Sequence, residues 1–239
     1  MYQKISPPKF TRSWIKYGLG YDSINDDLKV VAAVTPTVPK FTSDGPSTVH
    51  VFSSKLSSWK SIEDFGRYSC HLFGRGSVLN GSPHWVACGI TDIDGYYFRI
   101  ACFDVMEEKF KEVPMPIYEE KVHLFKVGVL DGCLCMVDSR LESLTFWVMK
   151  EYGVKESWTK LFVVSNVPPN EPGEPLINYC ELLCFTKDGE FVLKLRSGTS
   201  AKFAIYNPKR KTYKRIEKPE NWKGHEIDIY VESLVSPLG

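Results

Sequence analysis

The feature that most constrains how this chain can fold is a unit that recurs along it. Four segments share one plan, in which an apolar strand and a polar turn are followed by an aromatic residue three positions before an aliphatic one: VHVFSSKLSSWKSI, FRIACFDVMEEKFKEV, FWVMKEYGVKESWTKL and FAIYNPKRKTYKRI. The pivot aromatics Trp59, Phe110, Trp158 and Tyr213 are 51, 48 and 55 residues apart. A period of about 50 residues is typical of kelch-type propeller blades. We expect the pivots to pack between sheets rather than to stack on a ligand.

A second hairpin precedes each of these segments: YGLGYDSINDDLKVVAAV, SVLNGSPHWVA, KVGVLDGCLCMV and CELLCFTKDGEFVLKL. Two-residue hairpin turns need positive φ, which is supplied here by Asn80-Gly81, Asp131-Gly132 and Asp188-Gly189. The strands FRIAC, LTFWVM and KFAIY are apolar on both faces, which favours a sheet packed between two others over a two-layer sandwich. The sequence therefore predicts an all-β, β-propeller-like array of about four to five four-stranded, kelch-like blades, with an incomplete first blade allowed.

Two segments invite a different interpretation. YEEKVHLFKVGVL is the best helix candidate, but Gly128 interrupts it and β-branched residues are frequent, so a strand is favoured. GLGYDS resembles the start of a dinucleotide-binding fingerprint, yet it lacks the third glycine and opens no helix. We interpret it as a β-turn.

Composition excludes several classes of partner. Lys and Arg total 30 against 29 for Asp and Glu, so the net charge of +1 creates no field that attracts nucleic acid. The basic run from Lys209 to Arg215 is interpreted as a solvated hairpin. No window approaches the ~18 apolar residues of a membrane span, and the first residues lack a signal-peptide core. We expect no membrane partner and an intracellular location, cytoplasmic, nuclear or both.

Residues that would carry catalysis or bind a metal do not form a pattern. Seven cysteines, an odd number, fall mostly in apolar runs, which favours reduced, buried thiols. The sequence contains no CxxC, HExxH, GxSxG or phosphate-binding loop, and its five histidines are scattered. We predict no catalytic, cofactor-binding or metal-binding residues and no enzyme activity. An enzyme on a propeller scaffold is the alternative that a carboxylate-lined or metal-lined central pocket would favour.

Strand alternation places the connections at two ends. The first-to-second and third-to-fourth turns of every unit share one end, and the remaining connections share the other. Long connections are expected at that second end, at 35–47, 64–77, 88–95, 115–121, 165–178 and 219–226. Long loops on a rigid scaffold usually determine binding specificity.

The connection 64–77 carries the candidate partner-binding residues. It combines aromatic and guanidinium groups of the kind enriched at interface hot spots: Arg67, Tyr68, His71, Phe73 and Arg75. The alternative is an ordinary loop whose side chains are partly turned inward.

Several segments, in this order from Tyr17 to Pro237, resemble the F-box-associated domain of plant F-box proteins, including the kelch-like and S-locus F-box groups: YGLGYDSINDDLKVV, VFSSKLSSWKSIEDF, SVLNGSPHWVA, ACFDVMEEKFKEVPMP, VGVLDGCLCMV, FWVMKEYGVKESWTKLF and YVESLVSP. The resemblance implies a receptor of SCF-type ubiquitin ligases. In such receptors an N-terminal F-box binds the Skp adaptor, and the propeller-like domain captures the protein to be ubiquitinated.

The chain departs from that family plan at its start. No F-box helix pattern precedes Tyr17, so we assign 1–16 to a remnant of a preceding blade or a linker, and 17–239 to the F-box-associated domain. The resemblance implies a target-recognition module without its F-box, which binds the Skp adaptor only if a longer product contains one. The alternative is a stand-alone decoy or structural binding protein that recruits no ligase. We expect EIDIYVESLVSP to pair near the N-terminal segment and close the ring.

Overall fold

The fold is all-β, as predicted. The computed structural model describes residues 5–6, 13–36, 48–62, 71–91, 95–116, 125–139, 143–165, 179–186, 188, 190–197 and 200–217. These residues form four antiparallel sheets of four strands each. This arrangement agrees with the predicted array of four-stranded, blade-like units.

Each sheet is a simple meander in which every strand pairs with the next. The first sheet contains β1 (Ser13–Asp22), β2 (Asp27–Pro36), β3 (Thr48–Ser53) and β4 (Ser58–Ile62). The second contains β5 (His71–Leu79), β6 (Ser82–Thr91), β7 (Gly95–Asp104) and β8 (Lys109–Val113). The third contains β9 (Phe125–Leu130), β10 (Cys133–Ser139), β11 (Ser143–Met149) and β12 (Trp158–Ser165), with a short 3-10 helix, Lys155–Ser157, before β12. The fourth contains β13 (Tyr179–Phe185), β14 (Phe191–Ser197), β15 (Ser200–Asn207) and β16 (Thr212–Ile216).

Four of the tight turns have the same local construction. A short polar side chain at the end of one strand accepts a hydrogen bond from a backbone N–H inside the four-residue turn that follows, at Asp22, Ser53, Asp104 and Asn207. The last residue of each turn has positive φ, between 49° and 55°, at Asp26, Ser57, Glu108 and Lys211. The repeated unit is therefore encoded in its turns as well as in its pivots.

The predicted two-residue turns are confirmed where the structure describes them. Asn80 and Gly81 have φ values of 51° and 73°, and Asp131 and Gly132 have values of 47° and 72°. Positive φ at both central positions is the geometry that matches the twist of the flanking strands. Gly189 of the third predicted turn lies outside the described residues.

The second sheet is packed between the first and the third. One apolar cluster joins Val31 and Val51 of the first sheet to Trp85 and Phe103 of the second. A separate cluster joins Ile100 of the second sheet to Leu134, Met136 and Trp158 of the third. Burial on both faces explains why FRIAC is apolar at consecutive positions, as the sequence predicted.

Two glycines of β1 allow the first and second sheets to approach closely. A Cβ at Gly18 would clash with the indole of Trp85 and lie 2.6 Å from Cβ of Pro83, and one at Gly20 would clash with Val105. The interpretation of GLGYDS as a turn is therefore wrong for its glycines. They lie inside β1, where the absence of a side chain makes room for the neighbouring sheet.

A buried lysine of the first sheet also bridges these two sheets. Nζ of Lys29 on β2 lies 3.0 Å from Asp22 and donates to the carbonyl oxygen of Val105 at 2.7 Å. Burial by itself would lower the pKa of Lys29, but hydrogen bonds to Asp22 and Glu108 outweigh it and the pKa is raised. The pKa of Asp22 is lowered by hydrogen bonds from Asn25 and then from Lys29.

Three of the pivot aromatics pack against the aromatic residue directly opposite on the adjacent strand of their own sheet. Only Trp158 makes a contact with a neighbouring sheet of the kind expected for all four, among the contacts that the structure describes. The ring centroids are 5.4 Å apart for Phe52 and Trp59, 5.1 Å for Phe103 and Phe110, and 4.6 Å for Tyr206 and Tyr213. Trp158 is buried, and its Nε1–H donates to the carbonyl oxygen of Pro114 at 2.8 Å. Four described cysteines form no disulfide, which agrees with the expected reduced thiols: Cys88, Cys102 and Cys135 are buried, and Cys133 is half-buried.

The chain divides into two compact units. The first comprises 1–138 and 146–161, and the second comprises 139–145 and 162–239. Within the second unit, the rings of Phe162 and Phe191 stack with centroids 4.3 Å apart. The segment EIDIYVESLVSP, expected to close the ring, lies outside the described residues.

Candidate functional site

The connections between strands are separated into two ends, as the meander requires. The turns 23–26, 54–57, 80–81 and 105–108 form what we name the short-turn end of the first two sheets. We name the opposite end, where β2 and β4 finish and β3 and β5 begin, the long-connection end, because 11 residues separate β2 from β3 and eight separate β4 from β5. The expected connection 88–95 is shorter than predicted, because β6 continues to Thr91.

The structure describes three of the five candidate binding residues, and these three lie in a strand rather than a loop. Arg67 and Tyr68 lie outside the described residues. His71, Phe73 and Arg75 belong to β5, which begins at His71, so the prediction of a loop continuing to residue 77 is wrong in its second half. These three residues occupy the half of the strand that follows the connection 63–70.

A β-bulge shapes this part of β5. The pairing with β6 shifts register between Phe73 and Ser77, and Gly74 within the shift has a φ of 75°. Gly76 lies against the indole of Trp85, where a Cβ would come within 2.8 Å of the ring. Bulges redirect side chains at the rims of sheets. Here Phe73 is 40% exposed and Arg75 is exposed, so both reach the surface from an anchored strand.

Two residues at the same end were missed from the sequence. The guanidinium carbon of Arg99 lies 4.8 Å from the centroid of the Tyr97 ring, a cation–π contact, and Arg99 also pairs with Glu112. The Tyr97 ring covers Gly89 on β6, which has no room for a Cβ beneath it. The sequence signal for this contact was Tyr97, which stands two positions before Arg99 on the same strand. We missed it because we interpreted FRIAC only as core.

The arrangement offers no activated nucleophile among the described residues. His84 is buried, its pKa is lowered by burial, and its Nε2 accepts a hydrogen bond from Tyr152 at 2.7 Å. Burial likewise raises the pKa of the neighbouring Cys102, which keeps that thiol protonated and unreactive. Within the described ranges, no three His, Cys, Asp or Glu side chains are grouped as metal ligands. In the same part of the chain, no helix has the length and apolar character to cross a membrane.

Comparison with known proteins identifies the family. The sequence matches the family described as "F-box associated beta propeller domain" over residues 2–229. It is 33% identical to the F-box protein CPR1 of Arabidopsis thaliana over 94% of this chain and 57% of that protein. It is 30% identical to the F-box protein At4g22390 of the same plant, over 94% of this chain and 58% of that protein. The chain thus spans little more than half the length of these relatives. It belongs to the F-box-associated β-propeller domain family.

Proposed function

We propose that this domain recognises a target protein for an SCF-type ubiquitin ligase, and that it does so with the long-connection end of its sheets. Membership of the family supports a protein-interaction role, because its relatives CPR1 and At4g22390 are F-box proteins. The Skp adaptor is a partner of any product in which an F-box accompanies this domain. We propose no nucleic-acid or membrane partner.

The observation that carries the proposal is the bulge in β5. It presents Phe73 and Arg75 from a strand whose neighbouring Leu72 and Gly76 are packed against the core between the first two sheets. A backbone that is already ordered in a strand loses less conformational entropy on binding than a loop would. Arginine and aromatic residues dominate the binding energy of many interfaces. Tyr97 and Arg99 carry the same chemistry on the opposite face of this sheet, because Arg99 is paired with Ala87 whereas Phe73 is paired with Val86.

Proximity labelling in plant cells tests this surface. The wild-type domain is compared with two double variants, Arg67→Ala/Tyr68→Ala and Phe73→Ala/Arg75→Ala. We expect one labelled protein to be lost with both variants, because each removes hot-spot groups from one interface. The matched control is Lys209→Ala/Arg210→Ala, which changes exposed residues on the β15–β16 turn and should retain the label. Retention of every labelled protein by both test variants would remove the assignment.

The second candidate is a decoy that binds the same target without recruiting a ligase. Co-precipitation of the native gene product with the Skp adaptor discriminates between the two functions. A receptor co-precipitates the adaptor, and its target accumulates when the gene is inactivated. A decoy does not co-precipitate the adaptor, and its target falls when the gene is inactivated, because the ligase then has free access to it.

A further inference from the structure

The fourth sheet carries an uneven share of the charge of the chain. Residues 191–216, which include β14, β15 and β16, contain eight Lys and Arg residues and no Asp or Glu. Because the net charge of the whole chain is +1, the remaining residues carry a net charge of −7. Four of the cations are exposed on or beside the β15–β16 turn: Lys209, Arg210, Lys211 and Lys214. We call these four residues the cationic hairpin.

The β7–β8 hairpin of the second sheet has the same construction and provides an internal comparison. Each turn follows a short polar side chain, Asp104 or Asn207, which accepts a hydrogen bond from the backbone N–H three residues later, at 3.0 Å and 2.9 Å. Each turn ends at a residue with a φ of 55°, Glu108 or Lys211, and the flanking strands pair in the same register. Position 104 therefore corresponds to position 207, and the correspondence continues along both hairpins.

The two hairpins differ in how a lysine on their second strand is neutralised. In the second sheet, Nζ of Lys111 lies 2.7 Å from Asp104 and 2.9 Å from Glu107. In the fourth sheet, Lys214 stands at the position of Lys111. The residues that correspond to the two carboxylates are there an asparagine and an arginine. The fourth hairpin thus keeps the lysine but not its acidic neighbours.

Other side chains do not supply the missing carboxylates. In the part of the chain that the structure describes, the side chains of the cationic hairpin form no ion pair. The carboxylate of Glu190 accepts a hydrogen bond from the side-chain amide of Asn207 at 2.7 Å and pairs with none of the four cations. Exposed cations without a counter-charge attract a ligand of complementary charge. The cationic hairpin therefore favours a ligand that brings its own carboxylates.

The charge of the other residues limits the size of such a ligand. A nucleic acid or an anionic membrane extends well beyond one hairpin, and the net charge of −7 outside 191–216 opposes it. A short acidic segment contacts the hairpin alone and escapes this repulsion. Two carboxylates are enough to reproduce the arrangement around Lys111.

We propose that the cationic hairpin is a binding surface for a short acidic segment of a partner protein. Carboxylates of that segment take the places that Asp104 and Glu107 occupy beside Lys111, and they pair with Lys214 and with the cations of the turn. Composition alone indicated a solvated hairpin, and the comparison with the β7–β8 hairpin is what assigns it a ligand. The surface belongs to the fourth sheet, whereas the proposed function rests on β5 of the second, so neither proposal depends on the other.

The probe is a fluorescein-labelled peptide of about 12 residues that alternates Glu and Gly, and its fluorescence anisotropy measures binding to the full chain at low ionic strength. We expect Lys209→Ala/Lys214→Ala to weaken binding about fivefold or more, because two exposed ion pairs are lost. The matched control is Lys109→Ala/Lys111→Ala, which removes the same charge from the corresponding hairpin and should leave the affinity unchanged. A peptide that alternates Gln and Gly should not bind.

A further variant tests the geometry of the site. Arg210→Glu places a carboxylate four residues before Lys214, as Glu107 stands four residues before Lys111. This internal counter-charge should abolish binding of the acidic peptide. The Arg210 side chain is exposed and forms no ion pair with another described residue, so we expect the variant to fold.

Several results would overturn the proposal. One is the absence of binding to the wild-type chain, and another is an equal loss in the two double variants, which would show that binding follows net charge alone. Tighter binding of an oligothymidine of the same length, lost in Lys209→Ala/Lys214→Ala, would assign the hairpin to nucleic acid. Co-sedimentation with phosphatidylserine vesicles that is lost in that variant would assign it to a membrane.

Discussion

At the scale of single residues, the contact between the first two sheets depends on glycine. Gly18 has the Trp85 ring and Pro83 where its Cβ would be, and neither group can rotate away. We predict that Gly18→Ala lowers the free energy of unfolding by about 1–3 kcal/mol, the usual effect of overpacking. Gly128→Ala is the control, because nothing lies within 4 Å of its Cβ position. Urea unfolding measures both, and equal midpoints for the two variants would contradict the packing.

The buried Lys29 gives a second test at this scale. Lys29→Met leaves the buried carboxylate of Asp22 without its cationic partner, an arrangement that destabilises strongly. Lys111→Met removes a lysine whose side chain is about half exposed, where ion pairs contribute little. We expect the thermal midpoint to fall several times further for Lys29→Met than for Lys111→Met. A larger fall for Lys111→Met would show that the bridge does not hold the sheets.

His84 predicts a pH dependence of stability. Burial places its pKa in the folded protein below the unfolded value of 6.5, so the unfolded chain binds a proton that the folded chain does not. The contribution is complete above pH 6.5 and is lost as the pH falls through the folded pKa. The fall in thermal midpoint between pH 8 and pH 5.5 should be smaller for His84→Gln than for the wild type. Identical falls would contradict the assignment.

At the scale of elements, the repeated turns combine a polar side chain with a non-glycine residue in the left-handed region. Lys211 has a φ of 55° and is exposed, and a side chain there costs roughly 1–2 kcal/mol that glycine avoids. We predict that Lys211→Gly raises the urea midpoint slightly. Arg210→Gly, in the same turn without positive φ, should lower it through the greater backbone entropy of glycine. The reverse order would show that these turns are not strained.

Elements whose signal is local were predictable from the sequence. The pivots, the Asn80-Gly81 and Asp131-Gly132 turns and the doubly buried strand FRIAC were all identified, because each depends on neighbouring positions in the chain. The glycines of β1 were misinterpreted, since their partner Trp85 lies in another sheet. Lys29 could not be recognised as buried either, because the carbonyl oxygen it binds is 76 residues away.

In the candidate site, too, the local features were predictable from the sequence and the contacts between distant residues were not. Its place in the chain followed from loop length and from arginine and aromatic residues, yet β5 begins before Phe73 and Arg75. The bulge depends on the pairing of β5 with β6 and on the Trp85 ring that lies against Gly76. These contacts involve residues distant in the sequence, so the local sequence pattern does not predict the bulge. The Tyr97–Arg99 contact was hidden for a related reason, because an apolar strand was assumed to be core along its whole length.

At the scale of the whole molecule, the proposed function depends on face-to-face packing of the second sheet against the first and the third. Stacking gathers the turns of successive sheets at one end and their longer connections at the other. Such a scaffold holds its strand ends at fixed positions, which suits the proposed recognition of another protein.

The most direct test of this stacking is a nuclear Overhauser experiment on deuterated protein with protonated glycine and tryptophan. We predict strong cross-peaks from the Trp85 ring to the Hα atoms of both Gly18 and Gly76, because both backbones lie against that indole. The ring should also displace these Hα resonances from their usual positions. A Trp85 ring with cross-peaks to Gly76 of its own sheet, and none to Gly18 of the first sheet, would contradict face-to-face packing.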